Sequence, residues 1–229
     1  MALDGFLSEP YQRHNKRRQE HLASLRIDIA GRSVLEIGAG IGDHTSFFID
    51  RGCRVTSTDG RRECVEALAA RFPSVRAVQF DANGEPPPGI APHEIVYAYG
   101  LLYHLREPAR ALDAMARLCT DKLLLETCVS AGTESRVDPA EERVEDPTQA
   151  LDGVGCRPTR RWIWEQLGER FAHVYATVTQ PWHEEFPLDW TGIDVGPRAF
   201  MRSIFVASRH ALDNPLLSPI LPDQQVRGA

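Results

Sequence analysis

The chain has 229 residues, 42% of them hydrophobic and 25% charged, with a formal net charge of −6. That length suits one large α/β domain or two small ones, the balance is ordinary for a soluble globular protein, and no apolar run approaches the roughly 20 residues that span a bilayer. The acidic sign disfavours a duplex nucleic-acid binder, and five cysteines with no C-x-x-C pair disfavour a disulfide framework or a structural zinc site.

In chain order, helical spacing of Tyr11, His14, Arg18, His21, Leu22 and Leu25 predicts a helix over 8–29, ended by Gly31. Met1 to Arg18 is polar and lacks the apolar core of a secretory signal, so the cytosol is the expected location. A first strand is expected over Ser33–Ile37, then a helix over Asp43–Arg51 stopped by Gly52. A second strand closes at Thr58, a helix covers Arg62–Phe72, and a third strand covers Val75–Phe80. Pro86-Pro87-Pro88 marks a loop, since proline lacks the amide that a helix interior needs. Glu94–Tyr99 reads as a fourth strand, Pro108–Leu118 as a helix with proline in its first turn, and Lys122–Cys128 as a buried fifth strand. Residues 130–158 are acidic and rich in turn formers, either a disordered insertion or a lid. Thr159 is placed to cap a helix over Arg160–Phe171, with strands at His173–Thr179 and Phe200–Ser208 and an irregular tail over 211–229. Alternating strands and helices predict a mostly parallel sheet covered on both faces.

The chemistry concentrates at strand ends. Val34-Leu35-Glu36-Ile37 runs into Gly38-Ala39-Gly40-Ile41-Gly42, and the next strand ends on Asp59, 21 residues after Gly38. Glycines there let a backbone approach a ligand closely, and a carboxylate at that distance accepts hydrogen bonds from ribose hydroxyls. The spacing is G-x-G-x-G rather than the dinucleotide G-x-G-x-x-G, and no Tyr-x-x-x-Lys pair is present. A nicotinamide-dependent dehydrogenase is therefore disfavoured.

Glu36-x-Gly38-x-Gly40-x-Gly42, with Asp59 and with Asp81-Ala82 after the third strand, resembles motif I and the ribose- and adenine-contacting segments of class I S-adenosylmethionine-dependent methyltransferases. The resemblance covers about residues 30–130 well. It implies a Rossmann-like α/β fold with a seven-stranded, mostly parallel sheet whose last strand is antiparallel. It implies S-adenosyl-L-methionine as cofactor and in-line methyl transfer. Residues 1–30 would then be a helical cover and 31–210 the S-adenosylmethionine-binding domain. Glu36, Gly38, Ala39, Gly40 and Gly42 would form the methionine-side turn. Asp59 and Gly60 would take the ribose, Asp81 and Ala82 the adenine, and Tyr99 and Gly100 the methionine end. Gly100-Leu101-Leu102-Tyr103-His104-Leu105 is similar to the segment after strand four both in small-molecule methyltransferases and in transferases that modify the wobble uridine of tRNA.

His104 and His183 are the candidate general bases, because imidazole titrates near neutrality. A metal site of His183, Glu184 and Asp194 has no ligand spacing to support it, so no metal is expected. Tyr11, His14 and Arg18 either face the site or simply pack the cover helix; Trp182 and Trp190 are placed in an acceptor pocket. The basic clusters Arg13, Lys16, Arg17, Arg18 and Arg157, Arg160, Arg161 read as solvated helix faces, and Cys119 and Cys128 as core. The expected activity is methylation of an oxygen or nitrogen on a small molecule, without a membrane partner. A tRNA or other RNA acceptor and a non-catalytic nucleoside-binding scaffold are the alternatives, and the sequence is silent on oligomeric state.

Overall fold

The central strands are near-continuous buried runs, such as Leu123-Leu124-Leu125, and such runs require a sheet with a core on each face. The computed structural model describes residues 3–192 and 200–228. Its strands are β1 (Ser33–Ile37), β2 (Arg54–Asp59), β3 (Arg76–Gln79), β4 (His93–Tyr99), β5 (Cys119–Val129), β6 (Val137–Glu141), β7 (Val154–Pro158), β8 (His173–Thr177), β9 (Thr179–Gln180), β10 (Met201–Ser208), β11 (Leu217–Ser218) and β12 (Val226–Arg227). The helices are α1 (Glu9–Ser24), α2 (Thr45–Ile49), α3 (Arg62–Arg71), α4 (Pro108–Arg117) and α5 (Arg160–Gly168).

The main sheet has eight strands in the order β11-β8-β10-β5-β4-β1-β2-β3. β1 pairs in parallel with β2 and β4, and β10 lies antiparallel between β5 and β8. This is the Rossmann-like arrangement with β10 reversed, and the short edge strand β11, antiparallel to β8, is reversed as well. The eighth strand, beyond the expected seven, is β11, where Leu217 and Ser218 of the tail pair with Thr177 and Ala176 at the sheet edge. Two residues of main-chain pairing carry no hydrophobic period, so no strand signal is legible there.

Leu35, Val96, Leu123, Leu125 and Phe205 face one core with Leu112 and Met115 of α4 and Ile163 and Leu167 of α5. Their neighbours Val34, Ile95, Leu124 and Ile204 face the other, with Leu22 of α1 and Phe47 and Phe48 of α2. Fully burying each such side chain contributes about 1.5–3 kcal/mol. From β1 the chain builds outward through β2 and β3, then returns to β4 on β1's other side. That reversal opens a crevice above the carboxyl ends of β1 and β4, where open α/β sheets hold ligands.

Two covers close over the crevice. A short 3-10 turn (Asp4–Leu7) leads into α1, whose inward face carries His14, Arg18, His21 and Leu22 at helical spacing. Residues 137–158 form the antiparallel β6–β7 hairpin, with Val137 opposite Pro158 and Glu141 opposite Val154. Its tip is bound to the end of β2: Arg61 Nη2 donates to the carbonyls of Val144 (2.9 Å) and Asp146 (3.2 Å). None of the helices among the described residues is long and apolar enough to cross a membrane.

Candidate active site

At the end of β1 the backbone turns through Gly38 (φ 75°) and Gly40 (φ 56°), a left-handed region that β-carbon-bearing residues avoid. The amides of Gly38 and Ala39 both donate to the Thr58 carbonyl, at 2.9 and 2.8 Å, which docks the turn onto β2. A Cβ on Gly40 would lie 2.7 Å from Phe6 Cε1, and one on Gly38 would lie 2.9 Å from Leu101 Cδ1. Asp59 closes β2 beside this turn. Its Oδ2 accepts from the Gly40 amide (2.8 Å) and its Oδ1 from the Arg61 amide (2.9 Å). Burial raises the Asp59 pKa despite those two amides, and each oxygen keeps a lone pair for a further donor.

A cavity of about 640 Å³ opens above the strand ends. Gly38, Gly40, Asp59, Gly60, Asp81, Ala82, Tyr99 and Gly100 line it, and so do His104 and His183. Glu36, Ala39 and Gly42 do not. Glu36 is buried beneath the turn, accepting from Thr45 Oγ1 (2.6 Å) and Ser57 Oγ (2.8 Å), and burial pushes its carboxyl up to about 7. It braces β1, β2 and α2 from below. A Cβ on Gly42 would meet Phe72 of the layer beneath, at 2.8 Å.

His104 sits on a 3-10 turn (Leu102–His104) directly after β4. Its Nδ1 is bound to Glu142 Oε2 on the hairpin, and its side chain keeps 14% exposure. Glu142 is itself fixed by the Ala150 amide (2.7 Å) and Arg157 Nη2 (3.1 Å). Burial lowers the His104 pKa, and Glu142 opposes that shift. His183 lies in the loop after β9, stacked on His14 of α1 with ring centroids 4.6 Å apart. Its Nδ1 accepts from the Glu185 amide at 3.3 Å, and burial lowers its pKa too.

Beneath both histidines runs a charged chain that sequence reasoning missed. Glu126 of β5 is fully buried between Arg18 Nη1 (2.8 Å) and Arg202 Nη1 (3.0 Å). Arg202 Nε also donates to Glu185 Oε2 (2.6 Å), and its Nη2 to the Tyr103 hydroxyl (3.2 Å). The available signal was a lone acid after Leu123-Leu124-Leu125 and a lone arginine in the apolar β10, because charged residues are rarely buried unless paired.

Several expectations are corrected. Arg18 and Arg160, read as solvated, are 5% and 6% exposed; Arg160 donates to the Pro222 carbonyl and stacks on Trp190. Trp182 and Trp190 do not line the cavity. Trp182 is largely exposed and bonded to the Gly228 carbonyl, while Trp190 Nε1 donates to Gln225 Oε1 (2.7 Å). Tyr11, His14 and Arg18 do line it. Cys119 and Cys128 are buried, as expected. Asp194 lies outside the described residues.

A glycine turn, a strand-end carboxylate and a switch-point cavity lie together on one Rossmann-like sheet. The model of a family described as "Methyltransferase domain" matches residues 11–175, and the chain belongs to that family. It is 28% identical to the tRNA U34 carboxymethyltransferase of Idiomarina loihiensis over 71% of this chain and 53% of that protein. It is 42% identical over 95 residues to the probable ribosomal RNA small subunit methyltransferase A of Methanospirillum hungatei, covering 38% of this chain and 36% of that protein. The chain thus spans about half or less of the length of these curated relatives. Among solved structures, the N-terminal domain of EvdMO1, determined in the presence of SAH and D-fucose, shares the fold. The TM-score is 0.63 and the identity 18%, over 85% of this chain and 82% of that one.

Proposed function

We propose that the protein transfers the methyl group of S-adenosylmethionine to an oxygen or nitrogen of a small-molecule acceptor. The observation that carries this reading is the roofed cavity, with a nucleoside-type floor at Gly38, Gly40 and Asp59 and the His104–Glu142 pair in its wall. The residues fit such a cofactor. Gly38 and Gly40 present bare backbone to the cavity, packed tightly against Leu101 and Phe6, and the volume lies within the roughly 300–1,000 Å³ usual for ligand sites. At the opposite end, Arg18 Nε and the Tyr99 hydroxyl are buried with no partner among the described residues.

In this reading Asp59 accepts from the ribose hydroxyls, Gly60, Asp81 and Ala82 frame the adenine, and Tyr99, Gly100 and Arg18 bound the methionine end. S-adenosylmethionine supplies an electrophilic methyl on a sulfonium, so the protein's task is chiefly orientation. His104 Nε2 accepts the acceptor's proton. Glu142 fixes the tautomer through Nδ1 and steadies the imidazolium that forms. The depressed pKa keeps His104 neutral, hence competent as a base, at neutral pH. His183 is the rival base, and its stacking on His14 leaves it less room to reach an acceptor.

An RNA acceptor is the second reading, favoured by the likeness to a tRNA U34 carboxymethyltransferase. The net charge of −6 and the covers over the cavity weigh against it. The test is transfer of radiolabelled methyl from S-adenosylmethionine to a panel of small hydroxyl and amine acceptors and, in parallel, to bulk tRNA. Label on a small molecule, abolished by His104→Ala, supports the reading. RNase-sensitive label alone moves the acceptor to RNA.

A further inference from the structure

We propose that His14, His183 and Glu185 form a binding site for one divalent first-row transition-metal ion at the edge of the cavity. One donor atom from each lies within 4.8 Å of the other two. The carboxylate Oε2 of Glu185 stands 3.9 Å from His14 Nδ1, too far for a hydrogen bond, and His14 Nε2 is buried with no partner among the described residues. A buried imidazole nitrogen with no partner among the described residues is costly as mere packing. A metal bonded at about 2.0–2.2 Å needs donors roughly 3–3.6 Å apart, so side-chain rotations of about an ångström close the set.

The surroundings suit an ion held by two nitrogens and one oxygen. Burial lowers the pKa of both histidines and so leaves their imidazole lone pairs available, while Arg18 and Arg202, which add to the lowering at His14 and oppose a cation, are countered by the Glu126 and Glu185 carboxylates. Arg202 occupies Oε2 of Glu185 and leaves Oε1. Ligation through His183 Nε2 moves the ring proton to Nδ1 and releases the Glu185 amide from which Nδ1 now accepts at 3.3 Å. Magnesium and calcium want several oxygen donors, whereas two imidazoles favour Zn²⁺, Co²⁺, Ni²⁺ or Cu²⁺. Three protein ligands leave positions open, and His14, His183 and Glu185 all line the cavity, so oxygen donors of an acceptor can complete the ion. Because His14 belongs to α1 and the other two to the loop after β9, the ion also staples the cover to that loop.

The experiment is equilibrium dialysis of chelator-stripped full chain against Co²⁺, with visible absorption of the bound ion. One Co²⁺ per chain is expected, with affinity falling at least about tenfold in both His183→Ala and Glu185→Gln and holding within about threefold in Glu184→Gln. Circular dichroism confirms that each variant is folded. Should a variant fail to fold, spin-echo modulation of Cu²⁺ on the wild-type chain gives a separate reading: coupling to two imidazoles is expected. The absence of a stoichiometric ion, unchanged affinity in both folded variants, or coupling to fewer than two imidazoles overturns the site. These readouts use no methyl donor, so failure of the metal site and failure of the methyltransferase reading are distinguishable.

Discussion

Glu126→Gln tests how the cover is held to the sheet. The Glu126 carboxylate is fully buried and bridges Arg18 of α1 to Arg202 of β10. Burial alone would raise its pKa, but the two guanidinium groups outweigh that and hold it below the usual carboxylate range. Glutamine keeps the shape and one acceptor oxygen while turning an NH2 donor toward a guanidinium donor. Arg202 retains Glu185, whereas Arg18 keeps, among the described residues, the Asn15 side chain. Removing one partner of a buried pair costs about 3–5 kcal/mol, and retention of one acceptor puts this change near the lower figure. For a chain of this size, about 3 kcal/mol lowers Tm by roughly 6–12 °C. Because the folded pKa is depressed, the native carboxylate's contribution is present above its unfolded pKa and is lost as pH falls through the folded value. The gap between wild type and variant should therefore be full at pH 7 and shrink in acid. Thermal unfolding at both pH values, with limited proteolysis of α1, measures it. A Tm within 2 °C of wild type at pH 7, ~0.5–1 kcal/mol by the same scaling, would refute the argument.

Other residues give independent outcomes. Asp59→Ala should weaken S-adenosylmethionine binding by about 1–3 kcal/mol, the cost of unpaired ribose hydrogen bonds, in calorimetric titration of a folded variant; unchanged affinity would remove Asp59 from the site. Glu142→Gln should lower kcat about tenfold or more and move the rising limb of the pH–rate profile to lower pH, since the lost anion no longer favours imidazolium at His104. A limb that stays in place would assign the base elsewhere. Glu36, raised to about 7 by burial, makes stability fall as pH climbs from about 4.5 to 7 and stay flat beyond. Glu36→Gln should be more stable than wild type at pH 8, by up to ~3 kcal/mol, with little difference at pH 4, as read by urea unfolding.

The first strand, Ser33–Ile37, was legible to the residue, because a run of apolar residues ending in glycine has few other solutions. Cys119–Val129 extends beyond the expected Lys122–Cys128, as pairing with β4 and β10 recruits flanking residues of weak propensity. The helix expected over Asp43–Arg51 shrinks to Thr45–Ile49, since Gly42 to His44 are spent on the turn. The β6–β7 strands each contain a proline and little apolar alternation, so neither carried a strand signature. The glycine turn, Asp59 and His104 were readable because each sits at a strand end with a local pattern. Glu142 beside His104 was not, nor was the Arg18–Glu126–Arg202 chain. Those partners lie 38, 108 and 76 residues apart and meet only through the folded sheet and its covers.

The most direct test of the central claim is calorimetric titration of the purified chain with S-adenosylmethionine and S-adenosylhomocysteine, with NAD as control. The structure predicts saturable binding of the first two at one site per chain and none of NAD. Binding of NAD alone, or no binding of either sulfur nucleoside by folded protein, would contradict the claim that this cavity holds a methyl donor.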